Sequence, residues 1–151
     1  MKMEIFPAPP NKWHRFAVLR HAGWKEKPDH YDLLMETSSG EDLQEESLAE
    51  FQGYEHPPKS EFYIKPDKSI RRRYLFYEGE MSNNRGHVKR IDSGFYMKVL
   101  HRDMPFPRIL LFRGEEVQGV YTYTILDSGL YRLQLIGIES KEARRILPSP
   151  S

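Results

Sequence analysis

The tripeptide His30-Tyr31-Asp32, with His21 at the end of the preceding apolar run, has the residue types and spacing of a metal centre. Side chains alternate with period two along an extended strand, so His30 and Asp32 project from one face and Tyr31 from the other. An imidazole and a carboxylate side by side, completed by His21 from a neighbouring strand, form a small N/N/O set that suits a divalent transition metal.

Two strands must hold these groups. Arg15 to His21 sets Phe16 and Val18 against Ala17, Leu19 and His21, and His30 to Glu36 sets Tyr31, Leu33 and Met35 against His30, Asp32 and Leu34. Both stretches predict strands, and the loop between them, marked by Gly23 and Pro28, makes a hairpin with both histidines near one end. Thr37 to Glu46 is polar and reads as a loop or a turn of acidic helix. Ser47 to Gln52 predicts a short strand carrying Leu48 and Phe51, and Glu61 to Ile64 is an aromatic-rich stretch bracketed by prolines. Two strands are expected around a turn at Asp92-Ser93-Gly94. Ile109 to Phe112, Val117 to Leu126 and Leu130 to Ile138 follow, joined through Arg113-Gly114-Glu115-Glu116 and Asp127-Ser128-Gly129. Helical periodicity is confined to Ser140 to Leu147. Roughly eight short strands predict a mainly β fold, a compact antiparallel β-barrel with one or two short helices. The expected organisation is a single domain over residues 1–151, with 1–12 an irregular lead-in and 139–151 a short helix and tail.

Composition narrows the functions available. The chain has no cysteine, which excludes disulfides, thiolate metal sites and cysteine nucleophiles. No stretch reaches the 18 to 20 consecutive apolar residues of a membrane span, and no apolar signal core begins the chain, so a soluble, cytoplasmic monomer is expected. Net charge is only +1, yet the charges are unevenly placed. Residues 41–50 carry Glu41, Asp42, Glu45, Glu46 and Glu50 with no base; residues 65–73 carry Lys65, Lys68, Arg71, Arg72 and Arg73 with the single acid Asp67. Arg85, Lys89 and Arg90 follow. Such polarity offers a positive face to a phosphate chain, or is simply a solvated mixed surface.

From the residues, three readings of the His/Asp set stay open. It is a pair of half-exposed strand residues with a loop histidine; or the His-x-Asp half of a non-haem Fe(II) triad, with His101 as the distal ligand and Arg108 anchoring a cosubstrate carboxylate; or a metal-dependent phosphoesterase centre. Only the third uses the bases between Lys65 and Arg90, which would hold the charge of a phosphate while the ion polarises one of its oxygens.

A run ending in Arg20-His21, a loop, then His30-Tyr31-Asp32-Leu33-Leu34-Met35-Glu36 resembles the signature of the 3′-phosphoesterase domain of bacterial DNA ligase D. Tyr74-Leu-Phe-Tyr-Glu78-Gly79, continuing through Gly86-x-Val88 to Asp92-Ser-Gly94, resembles that family's second block, and the strand pair around Gly119 to Leu135 its closing strands. The resemblance implies a β-barrel that binds a divalent ion, commonly manganese, with zinc or another transition metal as alternatives. It implies removal of a terminal phosphate or ribonucleotide from DNA 3′ ends in repair, here without fused ligase or polymerase domains, which would be separate partners. Carried over residue by residue, His21, His30 and Asp32 are the metal ligands and Tyr74 lies near the reacting phosphate.

Two positions depart from the pattern. Leu34 stands where the family has an arginine, and Ile70 where it has a histidine four residues before the tyrosine. The first change removes a bidentate phosphate clamp. Strand alternation puts Arg72 on the face of Ile70 and Tyr74, making it the expected replacement cation, with Arg85 and Lys89 in support. The loop between His21 and His30 is longer than in the ligase-fused domains. These departures leave a second reading, a catalytically degenerate barrel that binds nucleic-acid ends or a repair partner, and a third, a structural barrel without metal.

Overall fold

A computed structural model describes residues 8–57, 60–99, 108–139 and 141. The strands are β1 (Trp13–Ala22), β2 (His30–Glu36), β3 (Leu48–Gly53), β4 (Glu61–Ile70), β5 (Gly79–Glu80), β6 (His87–Val99), β7 (Ile109–Arg113), β8 (Gln118–Ile125) and β9 (Tyr131–Gly137), with one 3-10 turn at Arg72–Leu75. They pair antiparallel in the order β1-β2-β3-β4-β9-β8-β7-β6-β5, and a β1–β6 ladder closes eight of them into a barrel with β5 as a short flap on β6. The mainly β barrel expected from the sequence is therefore the fold. The helix expected over Ser140 to Leu147 lies outside the described residues, Lys141 excepted.

The interior is filled by one parity of each strand. Phe16, Val18, Leu33, Met35, Phe51, Phe62, Ile64, Tyr96, Leu110, Phe112, Tyr121, Tyr123, Tyr131 and Leu133 form a single buried cluster. Edge-to-face contacts tie its rings, Phe16 to Phe112 and Phe112 to Tyr121 among them. The opposite parity of β1, β2 and β3 is buried as well. Ala17, Leu19, Leu34, Leu48 and Val88 form a second cluster with Leu75, and Ile70, Tyr74, Tyr77 and Met81 pack against it. The segment from Ile70 to Gly86 thus covers the outer wall of the barrel. This second layer, not the lumen, carries the His/Asp set.

Two irregularities shape that wall. Ala49 pairs with Ser69 and Phe51 with Pro66, so Asp67 and Lys68 together stand opposite the single residue Glu50. Proline's missing N–H is tolerated at such a bulge. On β6, Val18 pairs with Asp92 but Leu19 with Arg90, leaving Ile91 as an extra residue. The bulge lets Val88 face the covering layer while Tyr96 faces the interior.

It also corrects the expected turn at Asp92-Ser93-Gly94, because β6 runs straight through it as one strand of 13 residues. Asp92 instead caps the β7–β8 turn, accepting from the amides of Glu115 (2.8 Å), Glu116 (3.1 Å) and Val117 (2.8 Å). Gly94 passes so close to β7 that a Cβ there would lie 2.1 Å from the Arg113 carbonyl oxygen. Aspartate and glycine mimic a turn signature, but one serves as a cap and the other permits close approach.

Candidate metal centre

His21 and His30 are direct partners across the β1–β2 ladder, and Asp32 lies opposite Leu19. The register gathers His21, His30 and Asp32 at one end of the hairpin, all buried, with one ligand atom from each within 4.8 Å of the others. His30 Nε2 lies 3.2 Å from Asp32 Oδ1, and His21 Nδ1 lies 3.6 Å from Asp32 Oδ2.

The far side of each ring fixes its tautomer. His21 Nε2 donates to the Arg85 carbonyl at 2.5 Å, and His30 Nδ1 donates to the Pro28 carbonyl at 3.0 Å. Each neutral imidazole therefore turns a lone pair, not a proton, toward the carboxylate. His30 Nε2 and Asp32 Oδ1 are buried with no hydrogen-bond partner. Convergent lone pairs out of water repel one another until a cation or a proton enters between them. Backbone carbonyls that hold the outer N–H groups are the support metal-binding histidines commonly have. The donor set fits a divalent ion.

Without an ion, the same convergence attracts a proton. Burial pushes the His30 pKa down, but the Asp32 carboxylate 3.2 Å away and the Pro28 carbonyl outweigh it and raise the value overall. Burial acts upward on Asp32, but the adjacent His21 and His30 rings, which favour its charged form, hold its carboxyl below the usual range. The carboxylate is poised to stay ionised.

Local sequence explains the support. Gly86 has φ +78°, and a Cβ there would lie 2.0 Å from the Ala22 carbonyl oxygen. Only glycine lets the 82–86 turn come near enough to β1 for the Arg85 carbonyl to reach His21. In the β1–β2 loop, Trp24 stacks on His21 at 5.5 Å, and the Gly23 amide donates to Asp29 Oδ1 at 3.1 Å.

A cavity of about 140 Å³ opens over His21 and Asp32, its walls divided by chemistry. Leu19, Leu34, Ile70, Met81 and Val88 make it apolar on one side; Lys27, Lys68 and Arg85 bring positive charge; Glu50, Gln52 and Asp67 form a polar cluster. Lys27 Nζ donates to Gln52 Oε1 at 2.5 Å, and Gln52 Nε2 donates to Glu50 and to Asp67, each at 3.1 Å. Burial, the Asp32 charge and a hydrogen bond with Asp67 push the Glu50 pKa up to about 8.

The structure sorts the expected site residues. His21, His30 and Asp32 come together. Tyr74 lines the same cavity, from the 3-10 turn and not from a strand. Leu34 and Ile70 also line it, so both departures from the pattern the sequence resembles fall beside the candidate ligands. Arg85 reaches the cavity too.

Arg72 does not. The chain leaves β4 after Ile70 and tightens into the 3-10 turn, which abolishes the alternation that placed Arg72 with Ile70 and Tyr74. Its guanidinium is fully buried elsewhere, bonded to Glu36 (3.2 Å), Glu45 (3.1 Å) and the carbonyls of Asp42 (2.9 Å) and Ser38 (3.0 Å). Lys89 pairs with Arg20, is exposed and does not line the cavity. Arg108 is exposed at the start of β7, outside the cavity lining, and His101 lies outside the described residues.

Glu50, Lys27, Lys68 and Trp24 are cavity residues the sequence reading did not single out. Glu50 belonged to an acidic run, and its parity on β3, shared with the buried Leu48 of the covering layer, is the signal that distinguishes it. No protein-family model matches the chain, and no curated protein matches it.

Proposed function

We propose that the protein is a divalent-metal phosphoesterase acting on nucleic-acid 3′ ends, and that DNA carrying a terminal phosphate or ribonucleotide is its substrate. The observation that carries this reading is the convergence of three lone-pair donors, two of their atoms buried without partners, beside a cavity that His21 and Asp32 line together with three cationic side chains. The resemblance of the two sequence blocks to DNA ligase D phosphoesterase domains supplies the reaction class.

In this reading His21 Nδ1, His30 Nε2 and Asp32 hold the ion, with manganese the first choice. When bound, such an ion would supply Lewis acidity toward a phosphoryl oxygen. Lys27, Lys68 and Arg85 neutralise the remaining phosphate charge, taking the part of the arginine absent at Leu34. Tyr74 contributes a hydroxyl donor. Glu50, whose raised pKa keeps a proton on its carboxyl at neutral pH, is placed to give that proton to a departing oxygen. Water is the acceptor.

A second reading has support of its own. Leu34 and Ile70 line the cavity and Arg72 is committed elsewhere, which favours a non-catalytic barrel that binds nucleic-acid ends. Incubating a primer ending in a 3′ phosphate with and without manganese separates the two. Release of phosphate by the ordinary protein but not by His30→Ala supports the enzyme; tight binding with no trimming supports the binder.

A further inference from the structure

We propose that a recess beside the metal cavity, built on Arg71, Arg73, Tyr77 and Ser82, is a separate phosphodiester subsite that holds the strand next to its reacting end. This assignment rests on the reading of the cavity as a nucleic-acid-end site. The recess is lined by Arg71, Arg73, Tyr74, Tyr77, Glu80, Met81 and Ser82, and Tyr74 and Met81 line the metal cavity as well. A chain whose terminal phosphate lies over His21 and Asp32 therefore meets the recess directly across Tyr74.

The 3-10 turn creates this surface. By burying Arg72 it leaves Arg71 exposed and Arg73 half-buried against its neighbouring rings. Arg73 stacks on two rings, its guanidinium carbon 5.2 Å from the Tyr74 centroid and 5.3 Å from that of Tyr77. Those rings stand nearly perpendicular at 82°, and the Tyr77 hydroxyl is anchored to the Glu80 carbonyl. Stacking on two faces restrains the side chain without occupying its N–H groups, which is how a guanidinium is preorganised for phosphate. Neither Arg71 nor Arg73 forms an ion pair among the described residues. Ser82 Oγ accepts from Arg85, at 2.9 Å, so its own proton is available to an anion. Glu80 is the one acid of the lining and is exposed.

The test is binding of a 5′-labelled single-stranded DNA ending in a 3′ phosphate, followed by fluorescence anisotropy across a salt series. Arg71→Glu with Arg73→Glu should weaken binding at least tenfold and reduce the salt slope by about 1.4, the value for two single-strand phosphate contacts. Lys12→Glu is the control, since Lys12 precedes β1 and lies at the opposite strand end, roughly 30 Å from His21 at about 3.3 Å per residue. It should leave affinity within about twofold. Circular dichroism of each variant verifies the fold, and Arg71→Gln alone, at an exposed position, should still lower the slope. Unchanged affinity and slope in the arginine variants, equal losses in the lysine control, or no binding by the ordinary protein would each overturn the proposal. Binding that depends on Arg71 and Arg73 without end trimming would sustain the subsite and remove the enzymatic reading. Trimming with no such dependence would do the reverse.

Discussion

His21, His30 and Asp32 show how far single residues can be read from their neighbours in sequence. Period-two alternation placed His30 and Asp32 on one face, and the hairpin brought His21 opposite. Glu50 shares the parity of Leu48 and pairs with Leu34, so alternation reaches it too, but the acidic run around it hid that signal; a bulge in β4 then sets Asp67 and Lys68 against it. Two predictions belong here. Ion binding needs the His30 ring neutral, and His30 is held above the ordinary histidine value, so ion affinity should fall as pH drops through that raised value, by up to tenfold per unit for one proton displaced. Titration calorimetry at pH 6 and 8 would read this, with proton release varying with buffer ionisation enthalpy. Burial and the Asp32 charge push the Glu50 carboxyl from its ordinary 4.5 up to about 8, so between those values the folded state retains a proton that the unfolded state has lost. Stability should decline as pH rises between those values, and Glu50→Gln should flatten the decline, leaving the variant the more stable protein at pH 9 in urea melts.

At the scale of elements, the structure departs from the sequence pattern where local geometry breaks the strand period. Arg72 was read as the continuation of β4, yet the chain had already entered a 3-10 turn. Asp92-Ser93-Gly94 was read as a reversal, yet a capping carboxylate and a close-packed glycine can sit inside a strand. Both residues now support the elements around them. Removing Arg72 leaves Glu36, 4% exposed, without its cation, so Arg72→Met should cost about 3 to 5 kcal/mol, the usual consequence of breaking a buried pair from one side. Arg72→Lys should recover only part of this, because an ammonium cannot reproduce four directed bonds. Asp92→Ala should lose about 2 to 3 kcal/mol, since three turn amides lose a charged acceptor. Chemical denaturation of the three variants would check these values. The acidic run at 41–50 also acquires meaning at this scale. Glu45 pairs with the buried guanidinium, and Glu50 enters the cavity.

For the molecule as a whole, strand count and turn spacing were sufficient to anticipate a closed antiparallel barrel. The placement of the site was not legible, because β1 and β2 are apolar on both faces and nothing local distinguishes lumen from outer wall. Only the path of residues 70–86 across the barrel decides it. That path joins metal cavity, covering layer and arginine recess into one surface, so ion binding should stabilise the entire fold. An ion at a hundred times its dissociation constant contributes about 2.7 kcal/mol, which for a chain of this size raises Tm by roughly 5 to 10 °C. The most direct test is equilibrium dialysis of the metal-stripped protein against manganese, followed by elemental analysis of wild type, His30→Ala and Asp32→Asn. The account predicts one ion per wild-type chain and essentially none in either variant. A wild-type protein that retains no ion against manganese or zinc, or variants that retain as much as it does, would contradict it.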